Sequence, residues 1–166
     1  ATSGTLAIMV GGPTTTIQIV QPILDQLGKV TEVGPVGSGH ALKALNNLLS
    51  ATHLLATCEA MLVGEKFGLD KEVMLRVFNE SSGRSASTEN KWPNFILSEK
   101  FNSGFGLRLM LKDMNIATNL ADEMGIPDRL ATTATRLWGE AAQSLPATSD
   151  HTEIHRWVQD SEQVSG

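Results

Sequence analysis

The sequence predicts a mainly α-helical protein, in which a short strand–helix–strand unit precedes an all-helical domain with one long first helix. Three observations carry this. Residues 1–36 hold two short apolar runs on either side of one helical stripe, each run closed by glycine and proline. From Gly39 onward the apolar residues recur at helical spacing with no further alternating run. Residues 40–67 contain no proline, so at ~1.5 Å rise per residue a single helix is able to cross a small domain.

The elements follow in order. Residues 6–10 are an apolar run closed by Gly11-Gly12-Pro13, a buried strand ending in a turn. Pro13 and Thr14-Thr15-Thr16 begin a helix with a stripe of Ile17, Val20, Ile23, Leu24 and Leu27, and Gly28 is its expected stop. Pro22 falls inside that stripe and predicts an irregular or kinked turn. Residues 29–33 alternate as a second strand before Gly34-Pro35. A strand–helix–strand unit places parallel strands, and two strands alone are marginal. The unit reads as the end of a larger sheet.

The long helix is expected over residues 40–67, with Gly68 as its end. Asp70 caps a second helix through residue 79, with Val73, Met74 and Val77 facing inward. Residues 81–93 read as a polar loop with a short helical piece near residues 89–92. A third long helix spans residues 107–124, stopped by Gly125-Ile126-Pro127, and Asp128 caps a fourth to residue 145. A polar break at 146–150 precedes a last short helix through residue 157.

At 166 residues and 41% hydrophobic composition, the chain has enough apolar material for a real core and is not a disordered tail. A net charge of −5, with no basic cluster, argues against nucleic-acid binding. Cys58 is the only cysteine, which excludes an intramolecular disulfide and a thiolate metal cluster. On an apolar helix face it reads as a small core residue. No stretch has the length and apolarity of a membrane span, and the first residues lack the pattern of a secretion signal. The expected setting is cytoplasmic, without membrane partners.

The chemistry concentrates in Gly37-Ser38-Gly39-His40-Ala41-Leu42-Lys43-Ala44-Leu45-Asn46-Asn47, where a glycine-rich turn runs into the long helix. Positions three and four apart share a helix face, so Lys43, Asn46 and Asn47 point the same way. Leu42, Leu45, Leu48 and Leu49 are expected to bury the opposite side. An ammonium backed by carboxamides is a means of holding a hydroxyl or carbonyl oxygen and moving a proton to it. Taken alone, K-x-x-N-N is an ordinary surface lysine; its context changes the weight.

The G-x-G-x-x-x-K-x-x-N-N run resembles the catalytic segment of the β-hydroxyacid dehydrogenases, and within them the 3-hydroxyisobutyrate dehydrogenases. Three further stretches agree in order and spacing: Ser3-Gly4-Thr5-Leu6-Ala7-Ile8-Met9-Val10-Gly11-Gly12, Ser81-Ser82-Gly83-Arg84-Ser85, and Gly104-Phe105-Gly106-Leu107-Arg108-Leu109-Met110-Leu111-Lys112-Asp113. The resemblance covers nearly the whole chain, thinning after Pro127. It implies residues 1–36 as the end of a dinucleotide-binding domain, the remnant of a Rossmann sheet, and residues 37–166 as the helical C-terminal domain. No G-x-G-x-x-G turn follows an N-terminal strand, and no acidic residue stands ~20 positions beyond one. The family's serine-glycine-glycine motif would precede Ala1. The expectation is the C-terminal part of a longer enzyme, inactive alone.

The same resemblance implies NAD or NADP as cofactor, and a small 3-hydroxy acid interconverted with its semialdehyde. Lys43 is the implied general acid/base, and Asn46 or Asn47 orients the substrate. Lys112 reaches toward the nicotinamide ribose, and Phe105 lies near the nicotinamide or serves as a core aromatic. Asp113 is expected to be structural. The Ser81–Arg84 loop lies near the cleft or is polar surface, with Arg84 able to meet a carboxylate. A homo-oligomer, at least a dimer, is expected through the long helix, where Leu48, Leu55, Ala56, Met61 and Leu62 are more apolar surface than one small domain covers.

No metal is expected. His151 and His155 are four apart, but Glu153 lies off their shared face and no third ligand is near in sequence. His40 reads as structural. Two alternatives stand beside the main reading. A 6-phosphogluconate dehydrogenase-like enzyme has a related G-x-G-H-x-x-K helix, but the Asn46-Asn47 pair and the shorter helical part argue against it. A non-catalytic helical dimerisation module is the other.

Overall fold

Strand β1 (Leu6–Gly11), helix α1 (Thr14–Leu24) and strand β2 (Gly28–Gly34) open the chain in the computed structural model, which describes residues 4–163, with side chains as far as Asp160. Ser3, at the head of the first strand motif, lies outside the described residues. The two strands pair in parallel, from Leu6 opposite Gly28 to Gly11 opposite Gly34, with a shift of register between Val10 and Gly11. Helix α1 ends at Leu24, earlier than expected. Tight bonds from Gln26 N to Ile23 O and from Leu27 N to Leu24 O close its last turn, and Gly28 opens β2 instead of stopping the helix. Of the predicted stripe only Ile17 is buried, while Ile23 is 67% exposed, because two strands offer too narrow a surface for its full width.

Two compact units divide within the long helix, after Asn46. The first holds β1, α1, β2 and the opening turns of α2 (Ser38–Phe67). Gly39 makes that junction possible. A Cβ there would stand 2.3 Å from the carbonyl oxygen of Met9, so only glycine lets the helix start against the end of β1.

The second unit continues α2 and adds α3 (Lys71–Asn79), a π-helix (Ser87–Ile96), α4 (Leu107–Glu123), α5 (Arg129–Ser144), a 3₁₀ turn (His151–Glu153) and α6 (Ile154–Gln163). Its core joins Ala51, Leu54, Leu55, Cys58 and Met61 of α2 to Trp92, Met114, Trp138 and Ile154. Cys58 is fully buried, and that burial pushes its thiol far above the ordinary range, as befits a core residue. Helix α3 is capped as predicted, Asp70 accepting from Val73 N at 2.9 Å. Its buried residues are Met74 and Leu75, whereas Val73 and Val77 are about half exposed. Met74 sets that rotation by seating its sulfur where Gly64 of α2 has no side chain: a Cβ at Gly64 would lie 2.2 Å from Met74 Sδ.

The polar stretch expected as a loop contains the π-helix, and it buries Thr88, Trp92 and Ile96. Pro93 has no N–H to give the carbonyl of Thr88 five residues back, and Asn79 Nδ2 bonds that oxygen at 3.2 Å. The wide helix is thereby satisfied from a neighbouring element. Asp128 does precede α5, but its carboxylate accepts from the Thr132 hydroxyl at 2.8 Å and makes no bond to a backbone N–H. The last helix runs six residues past Trp157, to Gln163.

Asp150 holds the segment before α4. Its carboxylate accepts from Thr152 N and Oγ1, Ser103 Oγ, Gly104 N and Phe105 N, at 2.6–3.3 Å. Burial alone would raise its pKa; the hydrogen bonds from Thr152 and Ser103 outweigh that and lower it. Ser103 and Asp150 both meet His151 at Nδ1, so the three form a latch and not a nucleophilic relay, which would use both ring nitrogens. His151 and His155 are both buried, and burial lowers both, His155 to about 4 with help from Lys71.

These shifts fix the direction of acid sensitivity. The unfolded imidazoles take protons near their ordinary value of 6.5, while folded His155 stays neutral to about pH 4. Its contribution is whole above pH 6.5 and lost as pH falls toward 4, as much as ~3 kcal/mol at ~1.4 kcal/mol per pKa unit. Asp150, lowered, adds a loss in the same direction at still lower pH. Urea unfolding midpoints of the helical unit are expected to drop between pH 7 and pH 4.5, and His155→Phe to flatten the drop. Equal midpoints at the two pH values would contradict the burial argument.

Candidate active site

The predicted site residues lie in α2 and around α4. Lys43 and Asn46 belong to the first unit and are exposed on α2. Asn47 opens the second unit and is half-buried. Of the leucines expected to bury the far side of this helix, Leu48 packs against the core, while Leu42, Leu45 and Leu49 are 42%, 40% and 59% exposed. The stripe that packs runs through Ala44, Ala51, Leu54, Leu55, Cys58, Met61 and Leu62, beside the Lys43 face and not across from it.

In the second unit one carboxylate gathers two of the predicted residues. Asn47 Nδ2 donates to Asp113 Oδ2 at 2.6 Å, and Lys112 Nζ pairs with Asp113 Oδ1 at 2.7 Å. Asp113 is 2% exposed, while the Lys112 side chain is about half exposed. A buried carboxylate is tolerated only when its oxygens are engaged, and here a cation takes one and an amide the other. Helix α4 makes the arrangement. Leu107, Met110, Met114 and Ala117 are its buried stripe, and Asp113 lies within that stripe, beside Met114, while Lys112 emerges next to it. The Lys112 ammonium stands in a shallow cleft of about 680 Å³ between α4 and α5, lined also by Arg108, Asn115, Asn119, Gly139 and Gln143.

Phe105 is half-buried, edge-on to His151 with ring centroids 5.8 Å apart, in contact with the core cluster. The Ser81–Arg84 loop borders a separate cavity of about 330 Å³ with His53, Thr57 and Phe78. Arg84 does meet a carboxylate, that of Glu89 at 2.7 Å. Asp113 pairs within the fold, as a structural residue should. Its partner Asn47 is 66 positions away, so nothing local in the sequence marks the pair.

Residues 37–158 match the protein family described as the NAD-binding domain of NADP-dependent 3-hydroxyisobutyrate dehydrogenase. The chain belongs to that family. Among curated relatives, 2-(hydroxymethyl)glutarate dehydrogenase of Eubacterium barkeri is 36% identical over 161 residues, covering 96% of this chain and 54% of that protein. The mitochondrial 3-hydroxyisobutyrate dehydrogenase of Rattus norvegicus is 32% identical over 169 residues, with 98% and 50% covered. Among solved structures, Mycobacterium tuberculosis 3-hydroxyisobutyrate dehydrogenase with L-serine superposes with a TM-score of 0.88 at 27% identity, covering 95% of this chain and 56% of that one. A structure titled Psf3 in complex with NADP+ and 2-OPP gives a TM-score of 0.81 at 26% identity, covering 94% and 55%. The chain thus spans about half the length of the relatives it matches. The family's helical architecture is the one described above, and no described helix is long and apolar enough to cross a membrane.

The geometry separates the two asparagines. Asn47→Ala would leave a buried Asp113 oxygen without this donor, a loss of ~1–3 kcal/mol. Asn46→Ala, on an exposed position, is expected to change stability by less than ~0.5 kcal/mol. Chemical denaturation of the two variants reads the contrast, and equal losses would refute the assignment of the contact.

Proposed function

We propose that this chain supplies the helical part of an NAD(P)-dependent dehydrogenase that interconverts a small 3-hydroxy acid and its semialdehyde, with residues 1–36 as the end of the dinucleotide-binding domain. The observation that carries the reading is the clamp of Asn47 and Lys112 on one buried carboxylate. It lies within the segment that matches the family, and Lys43 precedes Asn47 by one turn of the same helix. Lys43 is the general acid/base: its ammonium holds the substrate oxygen and passes a proton to or from it as charge develops there. Asn47 orients the substrate's oxygen. Lys112, half exposed at a cleft that Asn115 and Asn119 share with Leu111, Ile116 and Ala142, is the group that would hold NAD or NADP at its nicotinamide ribose. When bound, the dinucleotide supplies the hydride acceptor or donor. Phe105, packed on His151, forms the wall near the nicotinamide.

In the full-length protein, Lys43→Ala is expected to lower kcat by ~10²-fold or more, with the Kd for the dinucleotide little changed. Steady-state kinetics and a cofactor titration check it. A variant that retains more than about a tenth of wild-type turnover would remove Lys43 from the chemistry.

The chain is also proposed to act as a homodimer. Of the surplus foreseen, Leu55, Met61 and Leu62 are buried within the chain, Leu48 is half-buried and Ala56 is exposed. A different stripe of α2 stays open: Leu42, Leu45, Leu49, Val63 and Phe67, recurring at three- and four-residue multiples and between 40% and 83% exposed. Apolar residues exposed along one helix face are a surface suited to association. Sedimentation equilibrium at micromolar concentration is expected to give at least the dimer mass, and Leu45→Glu with Leu49→Glu to shift it toward monomer. A wild-type chain at monomer mass would sink the proposal.

A further inference from the structure

An asparagine side chain is nearly symmetric in shape and opposite in chemistry at its two ends. Oδ1 only accepts hydrogen bonds, and Nδ2 only donates them. Which end a ligand meets is decided by what holds the other end. For Asn47 that partner is a carboxylate already paired with the Lys112 ammonium, and in such an ion pair the carboxylate oxygens accept. Asp113 Oδ2 lies 2.6 Å from the amide, so the end facing it must be Nδ2; the reversed amide would set two acceptors against each other at that distance. The carboxylate has little freedom to turn aside. Its other oxygen is held by Lys112 Nζ at 2.7 Å, and the side chain is 2% exposed on the buried stripe of α4.

We infer that Asp113 is a positioning residue that fixes the Asn47 amide in one of its two orientations, leaving Oδ1 and the second N–H for the substrate. The inference rests on the functional reading above and deepens it by choosing Asn47 over Asn46 and naming the group that aims it. Asn46 is exposed on the same helix and carries no comparable buried anchor among the contacts described. A hydroxyl on the substrate therefore meets an acceptor of fixed direction, and an analogue with an ether in its place meets the same oxygen without a proton to give it.

The isosteric variant Asp113→Asn tests the idea, because it keeps an acceptor oxygen at only one of the two positions that face Asn47 and Lys112. The lysine cation is the stronger claimant. The new amide then turns its N–H₂ toward Asn47, which must present Oδ1 in return and lose its orientation toward the substrate. Two measurements read this. In the 166-residue chain, the side-chain amide signals of Asn47 in a ¹⁵N–¹H spectrum are expected to exchange with water slowly in the wild type, and to shift and exchange faster in Asp113→Asn, while those of Asn46 stay put. In the full-length protein, Asp113→Asn is expected to lower kcat/KM for the hydroxy acid by about tenfold or more, as small misplacements at reacting groups do. In an Asn47→Ala background the same substitution should cost little further, since its route of action is gone.

Fully additive losses in that double-mutant cycle overturn the inference, as do Asn47 signals unmoved by Asp113→Asn. If Asp113→Asn does not fold, wild-type exchange decides: an Asn47 amide exchanging as fast as that of Asn46 refutes the clamp, and a protected one supports it. A wild-type enzyme inactive on every 3-hydroxy acid would sink the functional reading instead, and the amide signals would still test the clamp.

Discussion

The buried stripe of α2 is the constraint on which the rest of the helical unit depends. A helix this long gains little from propensity alone and is held by the face it packs. Burial of a Leu or Met side chain contributes ~1.5–3 kcal/mol, and Leu54, Leu55, Met61 and Leu62 are all enclosed. Ala51 and Cys58 are fully buried in that stripe beside them, and Gly64 leaves the space that Met74 Sδ fills. Trp92 of the π-helix, Met114 of α4, Trp138 of α5 and Ile154 of α6 belong to the same buried cluster.

Placing the elements so tightly has a chemical consequence. The line that packs apolar side chains also brings Asn47, at one end of the unit's share of α2, to Asp113 in the middle of α4. A carboxylate at that depth would be prohibitive unpaired, and the amide and ammonium that satisfy it are the ones the family resemblance marks for substrate and cofactor. Structural necessity and proposed function share the same atoms. Asp150 works comparably at the head of α4: it gathers the N–H groups of Gly104 and Phe105, so the register of the helix that carries Lys112 and Asp113 is set before its first turn.

Local rules explain why most elements were legible in the sequence. Proline, glycine and capping residues mark where a helix starts or stops whatever surrounds it, so β1, β2, α2, α3 and α4 lie within a few residues of their expected bounds. The π-helix escaped because proline at position 93 is a stop signal for an α-helix. Only the tertiary bond from Asn79 to Thr88 makes the wider ladder complete there. The rotation of α3 and the open leucines of α2 escaped for a related reason: periodicity identifies an apolar face but does not say which of two faces meets a neighbour.

By itself the sequence determined the order of the elements, the long helix, the co-facial spacing of Lys43, Asn46 and Asn47, and the motifs that placed the chain in its family. These properties depend on near neighbours along the chain, where dihedral preferences and helix geometry act without outside help. The proposed choice of Asn47 over Asn46 and the anchoring of Lys112 rest on the tertiary structure. They turn on the Asp113 carboxylate, 66 residues from Asn47, and no local preference carries information across that separation. Packing brings the two together, and the cost of leaving a buried charge unpaired holds them there.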